Sequence, residues 1–440
     1  MAVVLTIAGS DSIGGAGVQA DLKAIASLGV HGASVITAVT AQNTKGVRKI
    51  IPLKAEDVLE QLEAVLEDVQ IDAVKVGMLY SPAVAKAVGG FLCDVNAPVV
   101  VDPVLFAGAG STLHGKGLFA VLEKEVLPTA AVVTPNRYEA EALASMSIVN
   151  LKDAEEACRT IMKTGARSVL LKGGHMDLEE VVDIFYEGRD VVELRSPRLP
   201  QKCHGGGCTL SSYIAAHIAL GMGTRQAVLA SKLRIYDAIA LSYKVGSGMN
   251  IIDPLASLKK EAMACAMTEQ VLKAAARLER GLDPSWVPES GTNLAYALPN
   301  PQGYAEVCAI EGRLVRAGKC VKRVGEVRFG ASRHMADMAL SLSQVDPTAL
   351  ACMNLRRTPE HLQALREQGL SVGNCAALLG GDGATCDGGG AMHAALDSGE
   401  VPDLLIDEGG PGCEAMIRVV GRDPVDVLRK ISFLLKEDDE

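Results

Sequence analysis

Short runs of β-branched and aliphatic residues alternate, over roughly the first 250 positions, with longer stretches whose apolar positions recur at helical spacing. Val3 to Ile7 reads as a strand, a glycine-rich turn runs from Gly9 to Gly17, and Val18 to Leu28 carries a helical pattern. Further strands are predicted near Ser34 to Thr40 and at Ala73 to Val76, Val99 to Asp102, Ala131 to Thr134 and Ser168 to Leu171. Helical stretches separate most of them; Val58, Leu62, Val65, Leu66 and Val69 line one such face, and Leu210 to Leu220 and Thr224 to Tyr243 follow. This alternation predicts an α/β fold, a doubly wound and mainly parallel sheet with helices on both faces. Such sheets take their ligands at the carboxyl ends of the strands. Polar residues collect there: Gln42 and Asn43, then Lys75, Gly77 and Met78, then Asp102, then Asn136 and Glu139, then Lys172 to His175.

The pattern changes after the loose connection Gly246 to Asn250. Leu255 to Leu278 is helical, with Val271, Ala275 and Leu278 on one face, and stops at Gly281. From Glu289 onward strands and helices alternate irregularly, which predicts a mixed sheet flanked by helices rather than a second doubly wound one. Gly380 to Gly390 reads as a flexible loop. The expected division is 1–252, a linker helix 253–284, and 285–440.

Composition narrows the partners. Hydrophobic residues at 48% and charged residues at 22% describe an ordinary globular chain of 440 residues, long enough for two or three cores. A net charge of -10 with no basic stripe excludes nucleic acid and favours small buried ligands. The 11 cysteines are scattered, odd in number and without a C-x-x-C pair, so neither a disulfide framework nor structural zinc is expected, and a cytoplasmic location is. No run reaches the 18 or so apolar residues of a membrane span. Met1 to Gly9 lacks the basic lead of a signal peptide. A homo-oligomer stays open.

The chemistry centres on Cys203 to Thr209, where Gly205, Gly206 and Gly207 lead into a helix. Glycines there leave several N–H groups aimed at one spot, at the positive end of the helix dipole, which makes an anion cradle. Cys208 stands at its rim, and the field that holds a phosphate there is expected to favour its thiolate. A base beside a phosphate points to phosphoryl transfer. The turn 9–17 is neither a Walker A loop nor a dinucleotide fingerprint.

The ordered segments AGSDSIGGAG, TAQNT, KVGML, VVVDPV, TPNRYEAEAL, LLKGGH and HGGGCTLSSYIAA resemble those of hydroxymethylpyrimidine and phosphomethylpyrimidine kinases, a branch of the ribokinase-like fold. That resemblance implies ATP as phosphoryl donor and an aminopyrimidine between Gly9, Ala16, Gln42 and Met78. It implies magnesium positioned largely through water by Asn136 and Glu139 with support from Asp102, a phosphate contact at Lys172, and Cys208 as catalytic base. The usual Thr-His-Gly-Thr-Gly-Cys pattern has Cys203 and Gly206 here in its two threonine positions.

Behind it, SGTNLAYALP, EGRLVRAGK, VRFGASRHMA, CMNLRR, PDLLIDEGG and MIRVVGRDP look like the archaeal-type thiamine phosphate synthase domain, a resemblance that implies an α/β/α sandwich with a mixed sheet, related to class II aldolases. The resemblance implies that Arg313 and His334 act in coupling a pyrimidine diphosphate to a thiazole phosphate, a charged His334 protonating the leaving group. Arg316, Arg333, Asn293 and Asn354 are further binding candidates, and Asp407 and Glu408 are candidates for magnesium. A histidine-coordinated zinc is not expected. Two alternatives accompany this reading: a C-terminal half that senses thiamine phosphate rather than making it, and a pyridoxal-type kinase.

Overall fold

Nine strands form the first sheet: β1 (Val3–Asp11), β2 (His31–Asn43), β3 (Gly46–Pro52), β4 (Ala73–Val76), β5 (Val99–Val101), β6 (Ala130–Val133), β7 (Ser168–Leu171), β8 (Glu180–Glu187) and β9 (Asp190–Pro197). Their spatial order is β3-β2-β1-β4-β5-β6-β7-β8-β9, parallel from β2 to β7 and antiparallel at both edges. The six parallel strands are those the apolar runs predict. The edge strands β3 and β9 escape that pattern because they are largely exposed and carry charges between their apolar residues.

Alternation along each strand feeds two cores. Leu5 and Ile7 meet α2 (Ala55–Leu66), α3 (Pro82–Asp94) and α6 (Leu151–Met162) through Val58, Val88 and Ile161. Val4 and Val100 face the other way, toward α1 (Gly17–Ala26), α7 (Gly206–Ala219) and α8 (Thr224–Ala240) through Ile25, Ile214 and Val228. Each such side chain, fully buried, contributes about 1.5–3 kcal/mol. Between β6 and α6 lies the short helix Arg137–Ala144. Loops at the carboxyl ends of β1, β4, β5 and β7 thereby face the start of α7.

This computed structural model describes residues 1–106, 113–176, 178–374, 401–409 and 414–436, in two compact units, Met1–Leu258 and Lys259–Glu440. The loop expected at 380–390, and Gly410 at the end of the PDLLIDEGG segment, lie outside the described residues. In the second unit the sheet order is β16-β13-β12-β17-β20-β19-β18, counting strands at Leu294–Ala297 (β12), Val307–Ile310 (β13), Val327–Phe329 (β16), Ala351–Arg356 (β17), Val372–Asn374 (β18), Leu404–Asp407 (β19) and Met416–Gly421 (β20). Only β18 and β19 pair in parallel among the described strands, so the sheet is mixed. A separate hairpin joins Arg313–Ala317 (β14) to Cys320–Val324 (β15). One face packs on the long helix Ala256–Gly281, through Val271, Ala275 and Leu278. The other packs on Arg333–Val345, through Met335, Ala336, Ala339 and Leu342. No described helix is long and apolar enough to cross a membrane.

Candidate active sites

Cys208 is the third residue of α7, and the Gly17 N–H that opens α1 lies near enough to its sulfur to favour negative charge there. Two helix N-termini therefore converge on one thiol. Gly205 makes the approach possible: at φ 94° it caps α7, and a Cβ there would lie 1.8 Å from the Gly15 carbonyl oxygen. The first hydrogen bond of α7 runs from Thr209 N to Gly205 O, so the N–H groups of Gly206, Gly207 and Cys208 have no partner within the helix. Lys172 reaches across this turn. Its Nζ donates to Asp102 Oδ1 at 2.7 Å, and a Cβ on Gly207 would come within 2.9 Å of that nitrogen. The Lys172 ammonium thus stands beside the first turn of α7, where the glycine run is expected to form its cradle.

The electrostatics correct one expectation. Burial pushes the Cys208 thiol up to about 11, opposed by Lys75 and the Gly17 amide and reinforced by Asp21 and Asp102. The thiol, not the thiolate, is the resting form at neutral pH. Lys75 does not reverse this because its charge is shared with Asp21, 2.8 Å away in a fully buried pair. Asp21 also accepts from Thr6 at 2.6 Å and from Ser212 at 2.9 Å. Burial works against the charge of Lys75 and of Lys172, but their carboxylate neighbours outweigh it and leave both ammonium groups raised.

On the β1–β2 side, Gly9 sits at a register shift of β1, where a Cβ would stand 3.4 Å from Met78 Sδ. Met78 is buried with Ala38 and Leu113 against Val47 and Val104, a small apolar wall. Ala16 N–H donates to Asp11 at 2.9 Å. Gln42 Nε2 lies 2.7 Å from His204 Nε2, which is also 3.3 Å from Asp11 Oδ2. Burial raises the Asp11 carboxyl, yet its bonds to His204, Ile13 and Ala16 hold it below the ordinary range. His204 thus aims the expected pyrimidine contact. Sequence reasoning missed it, since its partner is 162 positions away and only its place beside the glycine run marks it.

Asn136 and Glu139 form a capping box on the short helix after β6: Glu139 N donates to Asn136 Oδ1 at 3.0 Å, and Asn136 N to Glu139 Oε2 at 2.8 Å. Asp102 takes Lys172 and Thr134 on Oδ1. Burial and the charge of Asp102 push Glu139 up to about 7, against the pull of Lys172. Its folded pKa exceeds the ordinary 4.5, so the stability it contributes is fully present below about 4.5 and is lost as pH rises through 7. Glu139→Gln keeps the capping geometry and removes the charge. Its melting temperature should match wild type at pH 5 and exceed it at pH 8, a gap of up to about 3 kcal/mol; thermal melts at the two pH values check this, and equal gaps would refute it.

In the second unit the polar face lies beyond the start of the helix Arg333–Val345. His334 Nε2 is 2.9 Å from Arg418 Nη2, and Arg418 Nη2 also donates to Asp407 Oδ2 at 3.0 Å. Asn293 and Asn354 are buried and spent on backbone: Asn293 donates to the carbonyls of Ile310 and Gly312, and Asn354 to that of Gly291. Glu408 is held by both terminal nitrogens of Arg357, at 2.6 and 2.8 Å. Asp407 and Glu408, the expected magnesium candidates, thus each face an arginine. Arg313, exposed at the start of β14, donates to the Ser290 carbonyl. Its side chain packs against the position of Gly291. Arg316 and Arg333 are exposed. Sequence reasoning singled out His334 and Asp407 but missed Arg418, which joins them.

Residues 11–253 match the family model described as Phosphomethylpyrimidine kinase, and residues 270–432 the one described as Thiamine-phosphate synthase ThiN. A thiamine biosynthesis bifunctional protein, ThiED, of Geobacter sulfurreducens is 44% identical over 247 residues, covering 56% of this chain and 50% of that protein. The chain thus spans about half the length of that bifunctional relative. The hydroxymethylpyrimidine/phosphomethylpyrimidine kinase of Rhizobium meliloti is 44% identical over 250 residues, 56% of this chain and 94% of that protein. Among solved structures, Staphylococcus aureus pyridoxal kinase in complex with AMP-PCP and pyridoxal shares 32% identity at a TM-score of 0.54, covering 58% of this chain and 94% of that one. Phosphomethylpyrimidine kinase of Clostridium difficile shares 41% at 0.50, covering 54% and 100%. The kinase match spans more than half of the 440 residues, and the chain belongs to the phosphomethylpyrimidine kinase family, with a ThiN segment behind the kinase segment.

Proposed function

We propose that the chain is a bifunctional enzyme of thiamine biosynthesis. Its first unit phosphorylates 4-amino-5-hydroxymethyl-2-methylpyrimidine and then its monophosphate from ATP. Its second unit couples the resulting diphosphate to hydroxyethylthiazole phosphate and releases diphosphate. The observation that carries the kinase reading is the meeting of the α1 and α7 N-termini at Cys208, with the Lys172 ammonium beside Gly207.

In this reading the γ-phosphoryl group lies in the cradle, where the amides of Gly206 and Gly207 and Lys172 balance its charge while it moves. The substrate hydroxyl approaches Cys208 Sγ, which in its ionised, minority form takes the hydroxyl proton as the new P–O bond forms and the bond to the ADP oxygen breaks. Gln42, aimed by His204, pairs with the aminopyrimidine edge, and Met78 lies on its face. Magnesium, when bound, neutralises phosphate charge. Asp102, Asn136 and Glu139 fit it through water, since the box that ties Asn136 to Glu139 and the Lys172 bond to Asp102 favour outer-sphere contacts.

In the second unit, departure of diphosphate builds negative charge on the leaving oxygens, and Arg313 and His334 supply donors for it. The mixed sandwich is consistent with the class II aldolase relation. The free cysteines among the described residues suit a reducing cytoplasm, and a homo-oligomer is compatible with this reading.

Purified protein given hydroxymethylpyrimidine, MgATP and thiazole phosphate should yield thiamine phosphate by mass, and none when ATP is omitted. Diphosphate accumulating without coupling, with tight thiamine phosphate binding, would instead favour a sensing second unit. The likeness to pyridoxal kinases of known structure favours one other reading of the first unit. Competition between pyridoxal and hydroxymethylpyrimidine for phosphorylation separates the two.

A further inference from the structure

Arg418 lies on β20, inside the second unit's sheet, between Ile417 and Val419, which face the apolar core. Opposite Asn354 on β17 and Leu405 on β19, it shows only 2% of its surface. Among the described residues one carboxylate, Asp407, balances its charge, and its buried Nε has no hydrogen-bond partner. A buried arginine with an orphan donor costs stability, and an apolar side chain of similar shape would pack there more cheaply. What it gains is a bond to His334 Nε2 at 2.9 Å. A guanidinium only donates, so Nε2 must accept and the ring proton must be on Nδ1. An imidazolium would set N–H against N–H, and as the second residue of a helix His334 also sits at a dipole end that disfavours a cation.

We propose that Arg418 is a positioning residue that holds His334 neutral, in its Nδ1–H tautomer, so that the ring donates from Nδ1 to the leaving diphosphate oxygens. This rests on reading the second unit as a thiamine phosphate synthase, and it replaces the charged His334 expected from the resemblance.

The test uses the full chain labelled with [15N]histidine and long-range proton–nitrogen correlation spectra at pH 7, the His334 signals being those lost in His334→Asn. The Nδ1–H pattern is expected in wild type and in Arg418→Lys, whose ammonium also only donates. Arg418→Met should lose that pattern and lower kcat for coupling supplied diphosphate roughly 10²-fold, with KM changed far less. An Nε2–H or doubly protonated His334 in wild type overturns the proposal, as does Arg418→Met with tautomer and kcat unchanged. A wild type that couples nothing would sink the synthase reading, while the spectrum still decides the tautomer.

Discussion

Cys208→Ala is expected to lower ATP-dependent phosphorylation of hydroxymethylpyrimidine by roughly 10²–10⁴-fold, the usual worth of a positioned base. Coupling of supplied diphosphate to thiazole phosphate should be unchanged, because the substitution lies in the other unit. The pH profile is the sharper measurement. With the thiol pushed up to about 11, the thiolate is scarce at pH 7 and rises about tenfold per pH unit. Wild-type kcat/KM under saturating MgATP should therefore climb with near-unit slope from pH 7 to 9. Cys208→Asp, whose carboxyl would be ionised throughout, should flatten the profile if it retains activity. A flat wild-type profile would mean that another group takes the proton. A steep one would show that the site exchanges abundance of the base for strength: burial makes the thiolate rare, and the same burial makes each thiolate more basic than a free one.

Much of this site was legible along the chain because the fold collects strand ends. Asp102, Glu139 and Lys172 each follow a short apolar run, and parallel pairing of those runs carries them to the start of α7 without further information. What the chain hides is the balance of charges. Lys75 and Asp21 lie on different elements and reach Cys208 only through the packing of β4, α1 and α7, so no spacing rule foretells that the thiol is raised rather than lowered. Arg418 is hidden for a related reason. In MIRVVG it looks like one charge in a strand, and only its register opposite Asn354 and Leu405 reveals that it is buried. Asn293 and Asn354 read as binding residues by composition, while their amides close gaps where β12, β13 and the Gly291 turn leave backbone groups unpaired.

Gly205 and Gly206 should behave oppositely, although they are neighbours of one type. Gly205→Ala places a methyl group 1.8 Å from the Gly15 oxygen on a backbone at φ 94°, so the loop must either retreat or keep a conformation that costs about 1–3 kcal/mol. Retreat would draw the start of α7 away from Gly17 and take the Cys208 sulfur off its amide. A shift of about 1 Å in such a site costs on the order of 10²-fold in rate. The expected result is a lowered melting temperature together with phosphorylation reduced by that factor, while coupling of supplied diphosphate persists. Gly206→Thr is not crowded in the same way: among the described residues, no atom outside its own turn of helix lies within 4 Å of its Cβ position. It should leave stability and phosphorylation at least at wild-type levels, restoring the hydroxyl usual at this point of the loop. Melting curves and initial rates for the two variants decide between a cradle set by backbone contact at Gly205 and one that tolerates any residue able to turn. Equal losses in both would point to loop flexibility, and retention in both would remove the contact with Gly15 from the account of how the thiol is placed.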